Sequence, residues 1–214
     1  MILILLGPPG AGKGTQAKLL SDEFKIPHIS TGDMFRDHKA RGTAIGKKVQ
    51  AIMDAGGLVT DDITNEMVKE RLARPDVAGG FILDGYPRTA AQAQYLDLLL
   101  HSIGRSITRC LSYVVLEEVL VERLSGRRSC PKCGTVYHVA QNPPNRDGYC
   151  DRDDAGLVQR EDDKPETVRK RLHEYAAKTE TLRRFYESRH LLTSIDGVGS
   201  PEGILAATKK ALGV

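Results

Sequence analysis

The stretch Ile2-Leu3-Ile4-Leu5-Leu6-Gly7-Pro8-Pro9-Gly10-Ala11-Gly12-Lys13-Gly14-Thr15 places a short apolar run directly before a glycine-rich segment that contains a lysine. The apolar run predicts a buried strand, Ile2–Leu6, and the residues from about Lys13 onward predict a helix. Glycines let the backbone curl until successive N–H groups point at one spot, where the positive end of the helix dipole adds to their effect. The stretch therefore predicts a phosphate-binding loop between a strand and a helix.

Lys13 is placed to reach the β- and γ-phosphates of a nucleotide. In the general motif a Ser or Thr follows the lysine directly, but here Gly14 intervenes, so the usual hydroxyl contact with Mg²⁺ moves to Thr15. The alternative is a glycine-rich turn that binds no ligand. The agreement of glycine spacing, lysine and strand–helix context favours the phosphate loop.

Composition excludes the unusual classes of protein. The 214 residues carry 31 basic and 28 acidic side chains, a formal net charge of +3, which does not by itself indicate binding to nucleic acid or membrane. The longest apolar run, Met1 to Leu6, is far shorter than the ~20 residues that cross a bilayer, and no Lys or Arg precedes it. We therefore expect a cytoplasmic enzyme built as one globular domain, with small inserted subdomains.

The chain alternates between short apolar runs and helical patterns, which predicts an α/β fold with a doubly wound parallel sheet. After Ile2–Leu6, further strands are predicted at 27–30, 81–83, 111–115 and 192–195. Helices are predicted from Thr60 to about Ala73, from Thr89 towards Gly104, from Pro165 to about Arg189, and from Ser200. Between Gly126 and about Asp163 the pattern breaks, which indicates an inserted functional loop or subdomain.

Three of the four cysteines lie in that irregular segment. Cys130-x-x-Cys133 and Cys150-x-x-Asp153 have the spacing of a structural zinc ribbon whose fourth ligand is a carboxylate. His138, Asp151 and Asp154 are alternatives to Asp153 as the fourth ligand. A different alternative is that the three cysteines bind no metal. With no open coordination position, the zinc is expected to be structural and to rigidify a segment too small for a core of its own. The remaining cysteine, Cys110, is predicted to be a small buried residue.

Several segments, taken in chain order, resemble one enzyme family. They are the phosphate loop, Ser30-Thr31-Gly32-Asp33-Met34 with Arg36, Asp84-Gly85-Tyr86-Pro87-Arg88 with Gln92, Gly126-Arg127-Arg128, Val136-Tyr137-His138, Arg160-Glu161-Asp162-Asp163, Arg171, and Asp196-Gly197. Over nearly the whole chain these resemble the adenylate kinases, which interconvert ATP plus AMP with two ADP, in their long-lid, zinc-binding form.

The resemblance implies a fold and a domain organisation. The expected fold is the phosphate-loop nucleoside-triphosphate-binding fold, a five-stranded parallel sheet flanked by helices with a small lid and a helical nucleoside-monophosphate subdomain. The core domain is expected at 1–29, 60–125 and 164–214, the nucleoside-monophosphate-binding domain at 30–59, and the zinc-binding lid at 126–163.

The resemblance also implies site residues. The catalytic residues are expected to be Lys13, Arg36, Arg88, Arg127, Arg160, Arg171 and Asp84. ATP is expected to contact Gly10, Ala11, Gly12, Lys13, Gly14, Thr15, Arg123, Arg127, Val136, Tyr137 and Gly199. AMP is expected to contact Thr31, Arg36, Gly57, Leu58, Val59, Gly85, Tyr86, Pro87, Arg88, Gln92, Arg160 and Arg171. Arginine suits phosphate because its planar fork matches the phosphate oxygens and stays charged.

Two of these assignments have a plainer alternative. Asp84 ends an apolar segment at the ligand edge of the sheet and is expected to hold Mg²⁺ through water, with Asp33 contributing at longer range. It would otherwise be a turn carboxylate capping Tyr86. Gln92 is expected to face the AMP adenine together with Thr31, but Thr89-x-x-Gln92 also has the spacing of a capping box.

Phosphoryl transfer between two bound nucleotides requires that water be excluded, so the lid and the monophosphate domain are expected to close over the substrates. Arg127 and Arg160 would complete the site on closure. The expected partners are ATP, AMP and ADP, with no nucleic acid and no membrane, and the chain is expected to be a monomer. Two rival functions stay open: a kinase for another nucleoside monophosphate or with GTP as donor, and a nucleic-acid-binding protein built on the zinc ribbon.

Overall fold

A computed structural model describes residues 1–214. The strands are β1 (Ile2–Leu6), β2 (His28–Ser30), β3 (Phe81–Asp84), β4 (Arg109–Val114), β5 (Arg127–Ser129), β6 (Val136–His138) and β7 (Leu192–Asp196). The helices are α1 (Lys13–Phe24), α2 (Thr31–Ala40), α3 (Ala44–Asp54), α4 (Asp61–Leu72), α5 (Ala90–Ser102), α6 (Glu117–Ser125), α7 (Pro165–Glu174), α8 (Thr181–Glu187) and α9 (Pro201–Leu212). The five strands predicted for the sheet are confirmed, each within two residues at either end.

Five strands form one parallel sheet in the order β2-β3-β1-β4-β7. The strand β1 is central, and the chain continues to opposite sides of it, so the carboxyl ends of β1, β3 and β4 meet at a crevice. The register places Leu5 beside Asp84 and Ser30 also beside Asp84. The phosphate loop, the end of β3 and the start of α2 consequently lie at one edge of the sheet.

Both faces of the sheet are covered by helices. On β1, Ile2, Ile4 and Leu6 pack into one cluster of 17 buried residues, while Leu3 and Leu5 pack into a second cluster of 15 on the other face. Because side chains alternate along a strand, a run with no polar position is what two covered faces require. The apolar character of β1 is explained by this double burial.

The helix predicted from Pro165 to about Arg189 is divided into segments. It runs as α7, then a π-helical turn over Tyr175–Thr179, then α8, which ends at Glu187. The buried Leu172 of α7 belongs to one face of the sheet and the buried Leu182 of α8 to the other. A straight helix lies against one face only, so the interruption accompanies the passage of the chain from one face to the other.

The helix starts predicted at Thr60 and Ser200 are found, but the two residues differ as caps. Ser200 caps α9 by accepting a hydrogen bond from the backbone N–H of Gly203. Thr60 stands at the N-cap position of α4, but its side chain makes no capping bond. Its hydroxyl instead lies by the carboxylate of Asp62 and lowers the pKa of that group.

Two small units project from the sheet. Helices α2 and α3 pack on each other and, with α4, enclose a small core of Phe35, Val49 and Met67. The segment between α6 and α7 contains an antiparallel pair, β5 and β6, whose interior is Cys130, Tyr137 and Cys150. No helix in the protein is long and apolar enough to cross a membrane.

Candidate active site

The phosphate loop follows β1 and leads into the first turn of α1. Gly10 and Gly12 have φ angles of +86° and +85°, which other residues adopt only with strain. A Cβ atom on Gly7 would lie 2.8 Å from the carbonyl oxygen of Tyr113, and one on Gly10 would lie 3.1 Å from that of Leu120. Glycine is therefore required at these positions by backbone conformation and by close packing on β4 and α6.

Lys13 lies at the start of α1, in a cleft densely surrounded by protein. Its ammonium group donates to the carbonyl oxygens of Gly7 and Pro8, at 2.7 and 2.9 Å. Burial is the main cause that lowers the pKa of Lys13 to about 8, and nearby Arg88 and Arg171 lower it further against the opposing effect of Asp84. A cation held at such a cost has a strong electrostatic preference for an anion beside it.

Asp84 ends β3 beside the phosphate loop. The Oδ2 atom of its carboxylate lies 3.4 Å from Nε2 of His28 on β2. Burial alone would raise the pKa of Asp84, but the approach of His28 and the charge on Lys13 outweigh burial and keep the pKa below its usual value. Asp84 is therefore an anionic oxygen donor next to the phosphate loop, which is the kind of ligand that Mg²⁺ takes together with phosphate oxygens. The residues fit the magnesium ion that the family resemblance implies.

The predicted arginines converge on the same cleft. Burial lowers the pKa of Arg88 to about 10, with the charges on Arg171 and Arg36 adding to the effect. Burial also lowers the pKa of Arg160 to about 10, and Arg36 and Arg127 contribute there. Like charges that disfavour one another in this way lie close together. The structure thus brings all five arginines to the cleft of Lys13, a cluster that a polyanion would neutralise.

Two carboxylates that were not predicted as site residues hold this cluster together. The Asp163 side chain is fully buried and accepts two hydrogen bonds from Arg127, one of them at 2.7 Å from Nε. Arg171 donates to the same carboxylate at 3.0 Å and forms an ion pair with Asp162 at 3.1 Å. The sequence signal was available, because both carboxylates belong to the segment Arg160-Glu161-Asp162-Asp163, of which only Arg160 was predicted as a site residue.

On the other side of the cleft, the turn after β3 meets the start of α2. The hydroxyl of Thr31 donates to the carbonyl oxygen of Gly85 at 2.9 Å, and Nε of Arg88 donates to the same oxygen at 2.8 Å. Gly85 has a φ of +77°, and a Cβ there would lie 3.0 Å from the Thr31 hydroxyl. Tyr86 is fully buried and Pro87 follows it through a cis peptide bond. Thr31 and Arg88 are fixed to one turn.

Only one of the two hydrogen bonds of the predicted capping box at Thr89 and Gln92 is present. Its backbone N–H donates to the hydroxyl of Thr89, which is the expected cap of α5. Its side chain does not reach back to the N-cap residue. Instead, Oε1 accepts from the backbone N–H of Arg88 at 2.8 Å, and Nε2 donates to Asp61 at 2.7 Å. The side chain is thus available for a role other than capping.

The residues predicted to line the monophosphate pocket through their backbone follow α3. The chain turns at Gly56, with a φ of +74°, before Gly57, Leu58 and Val59. A Cβ on Gly56 would lie 2.9 Å from Cγ of Arg171, so this turn packs directly against α7. The packing brings the segment 57–59 next to the helix that carries Arg171.

The residues predicted to contact ATP outside the phosphate loop are distributed over three elements. Arg123 on α6 donates to the carbonyl oxygen of Gly197 at 2.9 Å, which places it beside the loop that contains Gly199. Val136 of β6 is exposed. The Tyr137 side chain is buried in the interior of the β5–β6 unit, where its hydroxyl lies 3.5 Å from Sγ of Cys150. Tyr137 has therefore only its backbone to offer a nucleotide.

Cys130, Cys133, Cys150 and Asp153 form one compact cluster. Their ligand atoms all lie within 4.8 Å of one another, and Sγ of Cys133 is 3.5 Å from Sγ of Cys150. A tetrahedral zinc with Zn–S bonds of about 2.3 Å separates its sulfur ligands by about 3.8 Å, so the spacing fits. Contact with Cys133 is the main cause that holds the pKa of Asp153 at about 2. The donor set, three thiols and one ionised carboxylate, suits Zn²⁺.

Comparison with known proteins agrees with this geometry. The family model described as adenylate kinase matches residues 5–191. An adenylate kinase of Anaeromyxobacter dehalogenans (strain 2CP-C) is 79% identical over 213 residues, covering 100% of both chains. One from Anaeromyxobacter sp. (strain Fw109-5) is 77% identical over 99% of both chains, and one from Oceanobacillus iheyensis is 53% identical over 92% of both. With its phosphate loop, its cluster of buried arginines and this likeness over its full length, the chain belongs to the adenylate kinase family.

Proposed function

We propose that the protein transfers the terminal phosphoryl group of MgATP to AMP, giving two ADP, and so maintains the balance of adenine nucleotides. An oxygen of the AMP phosphate attacks the γ-phosphorus while the bond from that phosphorus to the β,γ-bridging oxygen breaks, so ADP forms on both sides. The observation that carries this proposal is the convergence of six cationic side chains on one cleft. Transfer between two nucleotides brings more negative charge into one cleft than binding of a single nucleotide does. The six cationic side chains can neutralise that charge.

The cations divide the work by position. Lys13 and the N–H groups of residues 10–15 hold the ATP phosphates, and Arg36 and Arg88 hold the AMP phosphate. Arg127, Arg160 and Arg171 face the phosphoryl group as it moves, where charge spreads over its oxygens. Asp162 and Asp163 fix the guanidinium planes of Arg127 and Arg171 through the hydrogen bonds described above. Because these guanidinium groups are already oriented, they need little reorganisation when the phosphoryl group is transferred.

Asp84 and Thr15 are the residues proposed to hold the magnesium ion. When bound, Mg²⁺ neutralises phosphate charge and orients the phosphate oxygens. Asp84 is kept ionised by Lys13 and His28, so it is ready to bind a cation or the water on that cation. This role explains a buried carboxylate at the mouth of a phosphate-binding cleft, where it would otherwise repel the substrate.

The two bases are proposed to bind on opposite sides of the phosphates. The AMP adenine lies near Thr31 and Gln92 and against the backbone of Gly57, Leu58 and Val59, with Gly85, Tyr86 and Pro87 below it. The ATP adenine lies against Arg123, Val136, the backbone of Tyr137 and Gly199. The hydrogen bond from Arg123 to Gly197 supports this second pocket, because it joins α6 to the loop that would form its wall.

Closure is proposed to involve two mobile units, residues 30–59 and 126–163, which move against a core of 1–29, 60–125 and 164–214. Arg36 comes from the first unit and Arg127 and Arg160 from the second, so the cation cluster is complete only when both lie against the core. The packing of Gly56 on Arg171 supports this closure for the first unit. Exclusion of water in the closed form protects ATP from hydrolysis.

The cysteine cluster is proposed to bind structural Zn²⁺ through Cys130, Cys133, Cys150 and Asp153. All four positions of a tetrahedron are filled by protein groups, so the metal has no open position for substrate. We also propose that the protein works in the cytoplasm as a monomer, without nucleic acid or membrane. The cysteine thiols, none paired in a disulfide, suit a reducing compartment.

The proposal is tested by measuring ADP formation from MgATP with AMP, GMP, CMP and UMP in turn. We expect activity with AMP to exceed that with each other monophosphate by at least tenfold. Preference for another monophosphate would keep the phosphate chemistry but overturn the roles of Thr31 and Gln92. The absence of transfer with all four would overturn the proposed function.

A further inference from the structure

The side-chain amide of Gln92 can adopt two orientations, and its own chemistry does not favour either. A side-chain amide has one edge with an acceptor and a donor, and rotating it by 180° exchanges the two. Adenine offers an acceptor at N1 and a donor at N6, whereas a 6-oxopurine offers a donor at N1 and an acceptor at O6. The orientation of the amide therefore decides which purine is complementary to it.

In the structure this orientation is determined from both ends. The backbone N–H of Arg88 can only donate, and it meets Oε1 of Gln92 at 2.8 Å. The ionised carboxylate of Asp61 can only accept, and its Oδ1 receives Nε2–H at 2.7 Å. A flipped amide would set its NH₂ against an N–H and its oxygen against a carboxylate, so both contacts would become repulsive.

Asp61 is itself fixed in place. It stands in the first turn of α4, and its second oxygen, Oδ2, accepts from the hydroxyl of Thr89 at 2.9 Å. Thr89 also caps α5 by accepting from the backbone N–H of Gln92. The carboxylate therefore joins the starts of two helices. Gln92 is 3% exposed, so its side chain has little room to leave Asp61.

The bonds to Asp61 and Arg88 leave half of the amide free. Nε2 carries two hydrogens, of which Asp61 takes one, and Oε1 has two lone pairs, of which Arg88 takes one. The remaining hydrogen and lone pair are the donor and acceptor that the N1 and N6 positions of adenine require. We propose that Asp61 is a positioning residue that sets specificity: it selects 6-aminopurine over 6-oxopurine monophosphates by holding the amide of Gln92 in one orientation. This inference rests on the proposed function, in which Gln92 faces the AMP base.

The test compares AMP with inosine monophosphate (IMP), which differs at N1 and at position 6, as acceptors of phosphoryl from MgATP. We expect Asp61→Ala to lower the ratio of kcat/KM for AMP to that for IMP by at least tenfold, mainly through KM for AMP, with KM for ATP unchanged. Asp62→Ala is the matched control, because Asp62 occupies the next position of the same helix turn, is exposed, and has Thr60 as its partner. It is expected to leave the ratio unchanged.

Asp61→Asn separates orientation from mere packing. Its side-chain oxygen can still accept from Gln92 while its NH₂ group donates to Thr89, so most of the discrimination should return. Where the alanine variant does not fold, Asp61→Ser is used, since its hydroxyl is too short to reach both partners. An unchanged ratio in the folded Asp61 variants, or an equal fall in Asp62→Ala, would overturn the proposal.

Gln92→Ala distinguishes failure of this inference from failure of its premise. A large loss of discrimination in Gln92→Ala together with none in Asp61→Ala would overturn the role of Asp61 alone. No loss in either variant would remove Gln92 as the reader of the base, and the role of Asp61 with it. ADP formation from AMP by the unmodified protein would still test the proposed reaction itself.

Discussion

The sheet core and the β5–β6 unit, which is the proposed lid, are held together by different forces. The two faces of the sheet bury 17 and 15 residues in continuous apolar clusters, whereas the interior of the lid consists of three buried side chains, two of them cysteines. Burial of one large apolar side chain contributes about 1.5–3 kcal/mol, so the core supplies its own stability and the lid does not. We propose that zinc bound by the cysteine cluster takes the place of an apolar core there, because metal binding energy is folding energy in small modules.

The candidate active site draws on both regions. Lys13, Arg88 and Asp84 stand on or beside the strands of the core, while Arg127 and Arg160 belong to the lid and its flank. A rigid core suits groups that must be preorganised around ATP, and a separately stabilised lid can move without disturbing that core. Substitutions that affect one region at a time separate the contributions of the core and the proposed lid.

The largest effect is expected from the core. Lys13→Ala should lower kcat/KM by about 10³-fold or more, the range for a cation that faces transferring phosphate. The measurement is ADP formation with AMP and MgATP. Lys18→Ala, which removes an exposed lysine from the same helix, is the control and should retain full activity. Equal behaviour of the two variants would contradict the role of the phosphate loop.

A lid arginine should matter slightly less. Arg160→Ala is expected to lower kcat by about 10²-fold, as removal of one preorganised charge donor does. Thermal stability should hardly change, because Arg160 donates only one hydrogen bond to the protein, to Ser129. Arg152→Ala removes an exposed arginine of the same lid and should leave kcat as it is. A wild-type rate in Arg160→Ala would show that the lid does not complete the site.

The two kinds of cysteine allow a matched pair. Cys133→Ala removes a proposed zinc ligand and should abolish stoichiometric zinc while lowering activity by about tenfold through a disordered lid. Cys110→Ala, in the buried sheet, should lower the free energy of unfolding by about 1 kcal/mol and keep both metal and activity. Emission spectroscopy measures the zinc content of each variant, and thermal unfolding measures its stability. Full zinc in Cys133→Ala would refute the proposed ligand set.

The smallest effect is a fraction of a proton. In the free protein the pKa of Lys13 is about 8, and phosphate beside it should raise that pKa towards the ordinary value of 10.5. Above about pH 8 a growing share of the Lys13 side chains would be neutral before binding, so ATP binding should take up protons there and hardly any at pH 6. Titration calorimetry in buffers of different ionisation enthalpy measures the uptake, and Lys13→Ala should lack it.

The lowered pKa of Lys13 also makes the stability of the protein depend on pH. Because the folded pKa of Lys13 lies below the unfolded value, the unfolded chain binds more protons between about pH 8 and 10.5. The contribution of Lys13 to stability therefore rises with pH across that window. Lys13→Ala should remove this contribution, and denaturant unfolding at several pH values measures the difference.

Much of the fold could be predicted from sequence because its signals are local. The unbroken apolar run Ile2–Leu6 fixed both the strand and its two-sided burial, and glycine spacing fixed the phosphate loop. The division of the long helix at Tyr175–Thr179 could not be predicted, because it depends on which face of the sheet each half meets. Thr60 had the residue type of a cap, but the neighbouring Asp62 offered its hydroxyl another partner.

In the candidate site, too, some residues could be predicted from local sequence signals and others could not. The arginines were found through motifs, whereas Asp163 was found only through its hydrogen bonds to Arg127 and Arg171, and Asp61 only through its hydrogen bond to Gln92. Such supporting residues are joined to the site by tertiary contacts between distant segments, 36 positions apart for Arg127 and Asp163. The segment that begins at Arg160 contains Asp162 and Asp163, but no local pattern shows which side chains they contact.

The measurement that tests the comparison most directly is hydrogen exchange, followed by mass spectrometry, on the zinc-loaded protein before and after verified removal of zinc by a chelator. Without metal, we expect amides of the lid between residues 130 and 157 to lose their protection, while those of β1 and β4 keep theirs. Lid protection that survives metal removal would contradict the account, as would an equal loss of protection in the core.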